Sequence, residues 1–156
     1  MWGDSYPQKI VIELPGEPCG KERPRLGKHG NVYTPSKTAA YERSLGWAAK
    51  IAMKGQKPLL GPLMVTVTAF MGIPPSWPHS ARMTALGGLI RPTRKPDWDN
   101  VGKIAADALN GIAYVDDSQI VTATVSKVYA ATPALRIEIE PIRQNSLKKE
   151  TPVSPF

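Results

Sequence analysis

Apolar residues recur at two distinct periods along this chain, and the changes of period mark out its elements. Lys9 to Leu14 (KIVIEL) alternates apolar with polar and is rich in β-branched residues, which predicts a strand ended by Pro15 and Gly16. A polar segment from Glu17 to Pro35 follows. Ser36 or Thr34 then caps a predicted helix running to about Lys54, with Ala39, Ala40, Leu45, Trp47, Ala48, Ile51 and Ala52 toward the core and Gly55 as its stop. Leu63 to Met71 (LMVTVTAFM) has the β propensity of a second strand. From Gly72 to Pro96 runs a connection of roughly two dozen residues, too long for an ordinary loop, so it is read as functional or partly helical. A short helical turn is expected within it over Ala81 to Leu86.

Val101, Ile104, Ala105, Ala108 and Leu109 fall at i, i+3, i+4, i+7 and i+8, the stripe of a second helix from about Asp99 to Leu109. Asp99, Lys103 and Asn110 lie on its opposite face, flanked by Asp107, and Asn110-Gly111 signals its end. After a turn at Asp116-Asp117, Gln119 to Tyr129 (QIVTATVSKVY) and Leu135 to Glu140 (LRIEIE) alternate as strands, with Thr132-Pro133 read as the connection of a hairpin. The order β-α-β-α-β-β predicts an α+β domain, a small mixed sheet with two main helices packed on one face. It covers residues 1–141. Residues 142–156, polar and proline-containing, read as a flexible tail.

Composition narrows this picture. The 156 residues suit one domain. The 16 prolines are about twice average usage, yet most punctuate the gaps between periodic segments. A net charge of +7, from 20 Lys and Arg against 13 Asp and Glu, suits a nucleic-acid partner, although it also serves solubility. The single Cys19 excludes an internal disulfide framework and a Cys-rich zinc site, and His29 and His79 have no metal-ligand spacing. No apolar run approaches about 18 residues and the N-terminus lacks a signal-peptide pattern, so the expectation is a soluble, cytoplasmic protein with no membrane partner.

Against that basic background, the stretch Lys95-Pro96-Asp97-Trp98-Asp99-Asn100, with Lys103 and Asp116-Asp117 beyond it, stands out. Taken singly, Asp99 reads as a helix cap, Asp97 as a loop residue and Asp117 as a turn residue. If the chain after the helix returns beside its start, Asp97, Asp99 and Asp117 converge, and such carboxylates need raised pKa values or a bound cation. With no His or Cys among them, that cation would be Mg²⁺ or Mn²⁺, able to polarise a phosphoryl oxygen. Lys103 either steadies transition-state charge or pairs with Asp99 one turn earlier. Lys21, Arg23, Arg25, Lys28, Arg91, Arg94 and Lys95 are candidates for phosphate contact or form a solvated face. Tyr33, Trp77 and Trp98 either stack on splayed bases or anchor packing. No P-loop, dinucleotide turn, nucleophile elbow or zinc-finger spacing is present.

The run from Lys95-Pro-Asp-Trp-Asp-Asn-Val-Gly-Lys103 through Asp107-Ala-Leu-Asn-Gly111 to Asp116-Asp-Ser-Gln-Ile-Val121 resembles the RusA family of Holliday junction resolvases. Glu22-Arg-Pro-Arg25, Tyr33-Thr-Pro35, Ser76-Trp77, Leu86-Gly-Gly88 and Arg91-Pro92 extend the resemblance over most of the chain. It implies a homodimeric, Mg²⁺- or Mn²⁺-dependent endodeoxyribonuclease that nicks four-way DNA junctions symmetrically. By position, Asp97, Asp99, Asp117 and Lys103 would be catalytic. The three acids would hold metal, with Asp116 adjoining them, and Lys21, Arg23, Arg25, Lys28, Tyr33, Arg91, Arg94 and Lys95 would bind DNA. Two departures are Trp98, where an aliphatic residue is usual, and Gly102, which inside a helix costs about 1 kcal/mol relative to Ala. The competing readings are a DNA-binding module without catalysis and a nuclease acting mainly on flaps or forks.

Overall fold

The structure, a computed structural model, describes residues 9–144. Its elements in chain order are β1 (Ile10–Pro15), β2 (Arg25–Leu26), β3 (Val32–Tyr33), α1 (Ser36–Met53), β4 (Leu63–Gly72), α2 (His79–Leu86), α3 (Trp98–Leu109), β5 (Ile120–Ala130) and β6 (Ala134–Pro141). A single 3-10 turn, Asp117–Gln119, leads into β5. Four strands form one mixed sheet in the order β1-β6-β4-β5, with β6 antiparallel to both neighbours and β4 parallel to β5. The expected α+β architecture is present, with α2 as a third, short helix.

Period-two alternation decides which face of the sheet is covered. Leu63, Val65, Val67, Ala69 and Met71 of β4 are buried together with Ile10 and Ile12 of β1 and Leu135, Ile137 and Ile139 of β6. The α3 stripe Val101, Ile104, Ala105, Ala108 and Leu109 closes over them, every member buried as its spacing predicts. Each fully buried large aliphatic side chain stabilises the fold by about 1.5–3 kcal/mol. Gly102, unfavourable for helix propensity, lies where a Cβ would meet Val125 Cγ2 of β5 at 3.2 Å. Close helix–strand packing is the physical reason for a glycine there.

Three expectations are corrected. Thr132 and Pro133 do not close a hairpin, because β4 lies between β5 and β6. Alternation fixes which face a strand presents but not which strand lies beside it, and the long helical excursion after β4 supplies the crossover that a parallel β4–β5 pair requires. In α1 the buried positions are Thr38, Leu45, Gly46, Ala49 and Met53, while Trp47 and Ile51 are 65% and 76% exposed. Small residues set that seam: a Cβ on Gly46 would lie 3.5 Å from Ile112 Cδ1 and 3.7 Å from the Ala108 carbonyl oxygen, so α1 meets the end of α3 there. Trp47 instead carries the Lys50 ammonium 4.6 Å above its ring. Neither Thr34 nor Ser36 caps α1. Pro35 occupies the cap position with no side-chain hydrogen bond.

Among the described residues no helix is long and apolar enough to cross a membrane. Of the predicted tail, Ile142 donates its N–H to the Pro62 carbonyl at 2.9 Å, and residues 145–156 lie outside the described residues.

Candidate active site

Helix α3 presents the first two acids. Asp97, with φ −70° and ψ 147°, is the N-cap residue, so the helix opens one position before Asp99, contrary to expectation. No side chain caps this end; the Asp99 carboxylate accepts from the Asn100 N–H at 3.0 Å. Both acids are exposed, at the helix end where the macrodipole favours negative charge. Lys103, 63% exposed, lies one turn on but pairs with Asp107 (3.7 Å) rather than with Asp99.

A strap from Glu17 to Lys21 crosses this helix start. A Cβ on Gly20 would lie 2.9 Å from both Asn100 Cβ and Pro96 Cβ, so only glycine allows the approach. The Lys21 N–H then donates to the Asn100 carbonyl at 2.8 Å. The Lys21 ammonium, only 19% exposed, is bound to the carboxylates of Glu42 and, at 3.3 Å, Asp107. Burial pulls its pKa down, but the hydrogen bonds to Glu42 and Asp107 prevail and hold it above the usual lysine value. At the other end, Glu17 accepts from the Gly72 N–H at 2.9 Å, and Arg94 donates to the Gly72 carbonyl at 3.1 Å and to Glu17 at 3.4 Å. Two expected phosphate contacts, Lys21 and Arg94, are thus engaged in holding the strap.

Beyond the strap lie Arg23 and Arg25, both exposed, the latter paired with Glu22 at 3.1 Å. The small β2–β3 hairpin carries Lys28 in its turn and an exposed Tyr33. Together with Lys95 and Lys37, a cation the sequence reading missed, Arg23 and Arg25 line an open groove of about 920 Å³ that reaches Asp97 and Asp99. Arg91 is exposed on the preceding loop. Trp77 packs edge-on against Tyr129 with ring centroids 5.3 Å apart, which makes it a packing anchor. Trp98, by contrast, is 67% exposed between the two acids.

The remaining acids lie elsewhere. Asp116 caps the 3-10 turn, accepting from the Ser118 N–H at 3.1 Å, and its hydrogen bonds with Ser118 lower its pKa. Gln119 completes the capping box, accepting from Val115 and Asp116 N–H groups and donating to the Leu59 and Gly61 carbonyls. Asp117 neighbours Tyr114, whose hydroxyl donates to the Ala106 carbonyl at 2.7 Å. Burial first, then the Asp117, Asp107 and Asp116 carboxylates, push the Tyr114 phenol well above its ordinary pKa. Asp117 therefore stands beside the second half of α3, whereas Asp99 lies about 10 Å of helix rise before Ala106. Among the described residues no three His, Cys, Asp or Glu side chains are grouped to hold a metal ion. Asp97 and Asp99 fit a hard divalent cation as oxygen donors, but within one chain Asp117 does not join them.

The exposed acid pair, the basic groove and the glutamine-locked turn agree with what comparison with known proteins finds. Over 138 residues the chain is 34% identical to "Uncharacterized protein YqaN" of Bacillus subtilis (strain 168), covering 85% of this chain and 96% of that one. Residues 15–140, from the end of β1 to the end of β6, match the family described as Endodeoxyribonuclease RusA. That match takes in the strap, the groove, both ends of α3 and the turn before β5, so this chain belongs to the RusA family of endodeoxyribonucleases, Holliday junction resolvases that hydrolyse DNA.

Proposed function

We propose that this chain is a Mg²⁺-dependent resolvase, with Mn²⁺ as an effective substitute, that acts as a homodimer in the cytoplasm and makes paired symmetric nicks in four-way DNA junctions. The observation that carries this reading is the Asp97-x-Asp99 pair, exposed and uncapped at a helix start, at the mouth of a groove lined by Lys37, Arg23, Arg25 and Lys95. Asp97, Asp99 and Asp117 are the proposed catalytic acids, and Lys103 the cation facing the scissile phosphate. A hard divalent ion supplies Lewis-acid polarisation of a phosphoryl oxygen and a lowered water pKa. Arg23, Arg25, Lys28, Tyr33, Arg91 and Lys95 are the proposed DNA contacts. Lys21 and Arg94 act through the strap, and Asp116 acts as a cap. One nuclease domain spans 1–141.

Asp97→Asn and Asp117→Asn are each expected to lower cleavage of a synthetic four-way junction by at least about 10³-fold while leaving its gel-shift affinity intact. Either variant cutting at the wild-type rate removes that acid from the mechanism. Wild-type protein that leaves the junction uncut in Mg²⁺ and in Mn²⁺ overturns the whole reading.

A further inference from the structure

We propose that the active site is completed across a twofold axis: Asp97 and Asp99 of one copy work with Asp117 of a second copy, brought there by antiparallel pairing of the two β5 edges. The inference rests on the nuclease reading above and adds the source of the third acid. It begins from a disagreement. The three acids belong to one signature, yet α3 holds Asp97 and Asp99 at its start and Asp117 beside its second half. Two carboxylates on one hard ion must each approach it to about 2.1 Å, and the separation along α3 is several times that.

The unpaired edge of β5 offers the remedy. β5 is the outermost strand, and Val121, Thr122, Ala123 and Thr124 are all exposed, on both faces of the sheet. Exposed edges are usually guarded by charge or proline, but Ile120 to Ser126 carries neither. An uncharged edge meets its own copy without repulsion, and a twofold axis makes such a self-pairing antiparallel.

Antiparallel pairing exchanges the strand ends. With the axis at Thr122 or Ala123, the middle of the exposed stretch, residue 117 of one copy falls opposite residue 127 or 129 of the other. That end of β5 adjoins the start of α3. The Lys127 ammonium donates to the Arg94 carbonyl, three residues before Asp97, and Trp77 packs on Tyr129. The partner subunit's Asp117 thus arrives at the end of the molecule where Asp97 and Asp99 stand, and Lys127 offers it opposite charge. A second copy is favoured over a foreign strand because it alone supplies this aspartate, and the exchange creates two equivalent composite sites.

Subunit mixing decides the matter. Chains carrying Asp97→Asn with Asp99→Asn, and chains carrying Asp117→Asn, are inactive as homodimers. Differently tagged and co-expressed, they form a heterodimer in which one composite site is fully wild type and the other lacks every acid. That heterodimer is expected to nick a junction at about half the wild-type rate and to bind one equivalent of Mn²⁺ by electron paramagnetic resonance. A silent heterodimer without Mn²⁺, alongside active wild-type protein, overturns the composite site and leaves the nuclease reading standing. In a Cys19→Ser background, Thr122→Cys or Ala123→Cys is expected to form a disulfide-linked dimer on oxidation, since directly opposed strand residues lie within disulfide reach. If neither cross-links, or if sedimentation shows a monomer that still cleaves, the edge pairing is wrong.

Discussion

Lys21 shows how a residue's chemistry depends on its company. As a cation beside Arg23 and Arg25 it looks like a phosphate ligand, but its ammonium is enclosed by Glu42 and Asp107. Removing it leaves two carboxylates facing each other without a donor. Lys21→Met is therefore expected to lower the unfolding free energy in urea by about 2 kcal/mol. The salt dependence of junction binding should stay as in wild type, because no phosphate contact is lost. A reduced salt slope with unchanged stability would return Lys21 to the DNA surface. Gln119 is a parallel case. Its place in the acidic motif is explained by four hydrogen bonds that fix the turn before β5.

At the scale of elements, the strap from Glu17 to Lys21 and helix α3 form one working unit. The strap's path depends on Gly20 lying against Asn100 and Pro96, the residues flanking the Asp97-x-Asp99 pair. Gly20→Ala places a methyl group 2.9 Å from two carbons that cannot both retreat. Overpacking of this kind costs about 1–3 kcal/mol, and here the strap must lift away from the helix start. Thermal denaturation should report the lost stability, and junction cleavage should fall by more than binding does. Undiminished cleavage in Gly20→Ala would mean that the strap does not position the acids. The α3 stripe was legible in sequence because its apolar residues are large and regularly spaced. The α1 seam was not, because Gly46 and Ala49 are small and the conspicuous Trp47 and Ile51 face solvent.

At the scale of the whole molecule, titration limits stability at high pH. Burial pushes the Tyr41 phenol up to about 12, raises Tyr114 further, and raises the Cys19 thiol, while Glu42 and Asp107 keep Lys21 above its usual value against the effect of burial. Each of these folded pKa values lies above its unfolded one. The stability contributed by the two tyrosines is thus complete below their unfolded pKa of 10.0, and is lost as pH rises through the raised folded values. Urea midpoints should be level near pH 8 and fall steeply above pH 10, with tyrosinate absorbance at 295 nm appearing together with unfolding. Absorbance that rises while the fold persists would show both phenols to be accessible. Asp116 acts in the opposite direction, its contribution being present above 3.8 and lost as pH falls through its lowered folded pKa.

The sequence by itself determined whatever repeats or is chemically singular. Period two marked the strands, period 3.6 marked α3, and a cluster of acids in a basic chain marked the site. Local spacing carries that information because side-chain direction follows backbone geometry within a few residues. Tertiary structure alone decided what depends on neighbours distant in the chain. It set β4 between β5 and β6, turned α1 onto its small residues, and enclosed Lys21 between acids from two helices. It also separated Asp117 from Asp97 and Asp99, because the chain descends the full length of α3 before turning into β5. A period states which way a side chain faces, and only packing states what it meets.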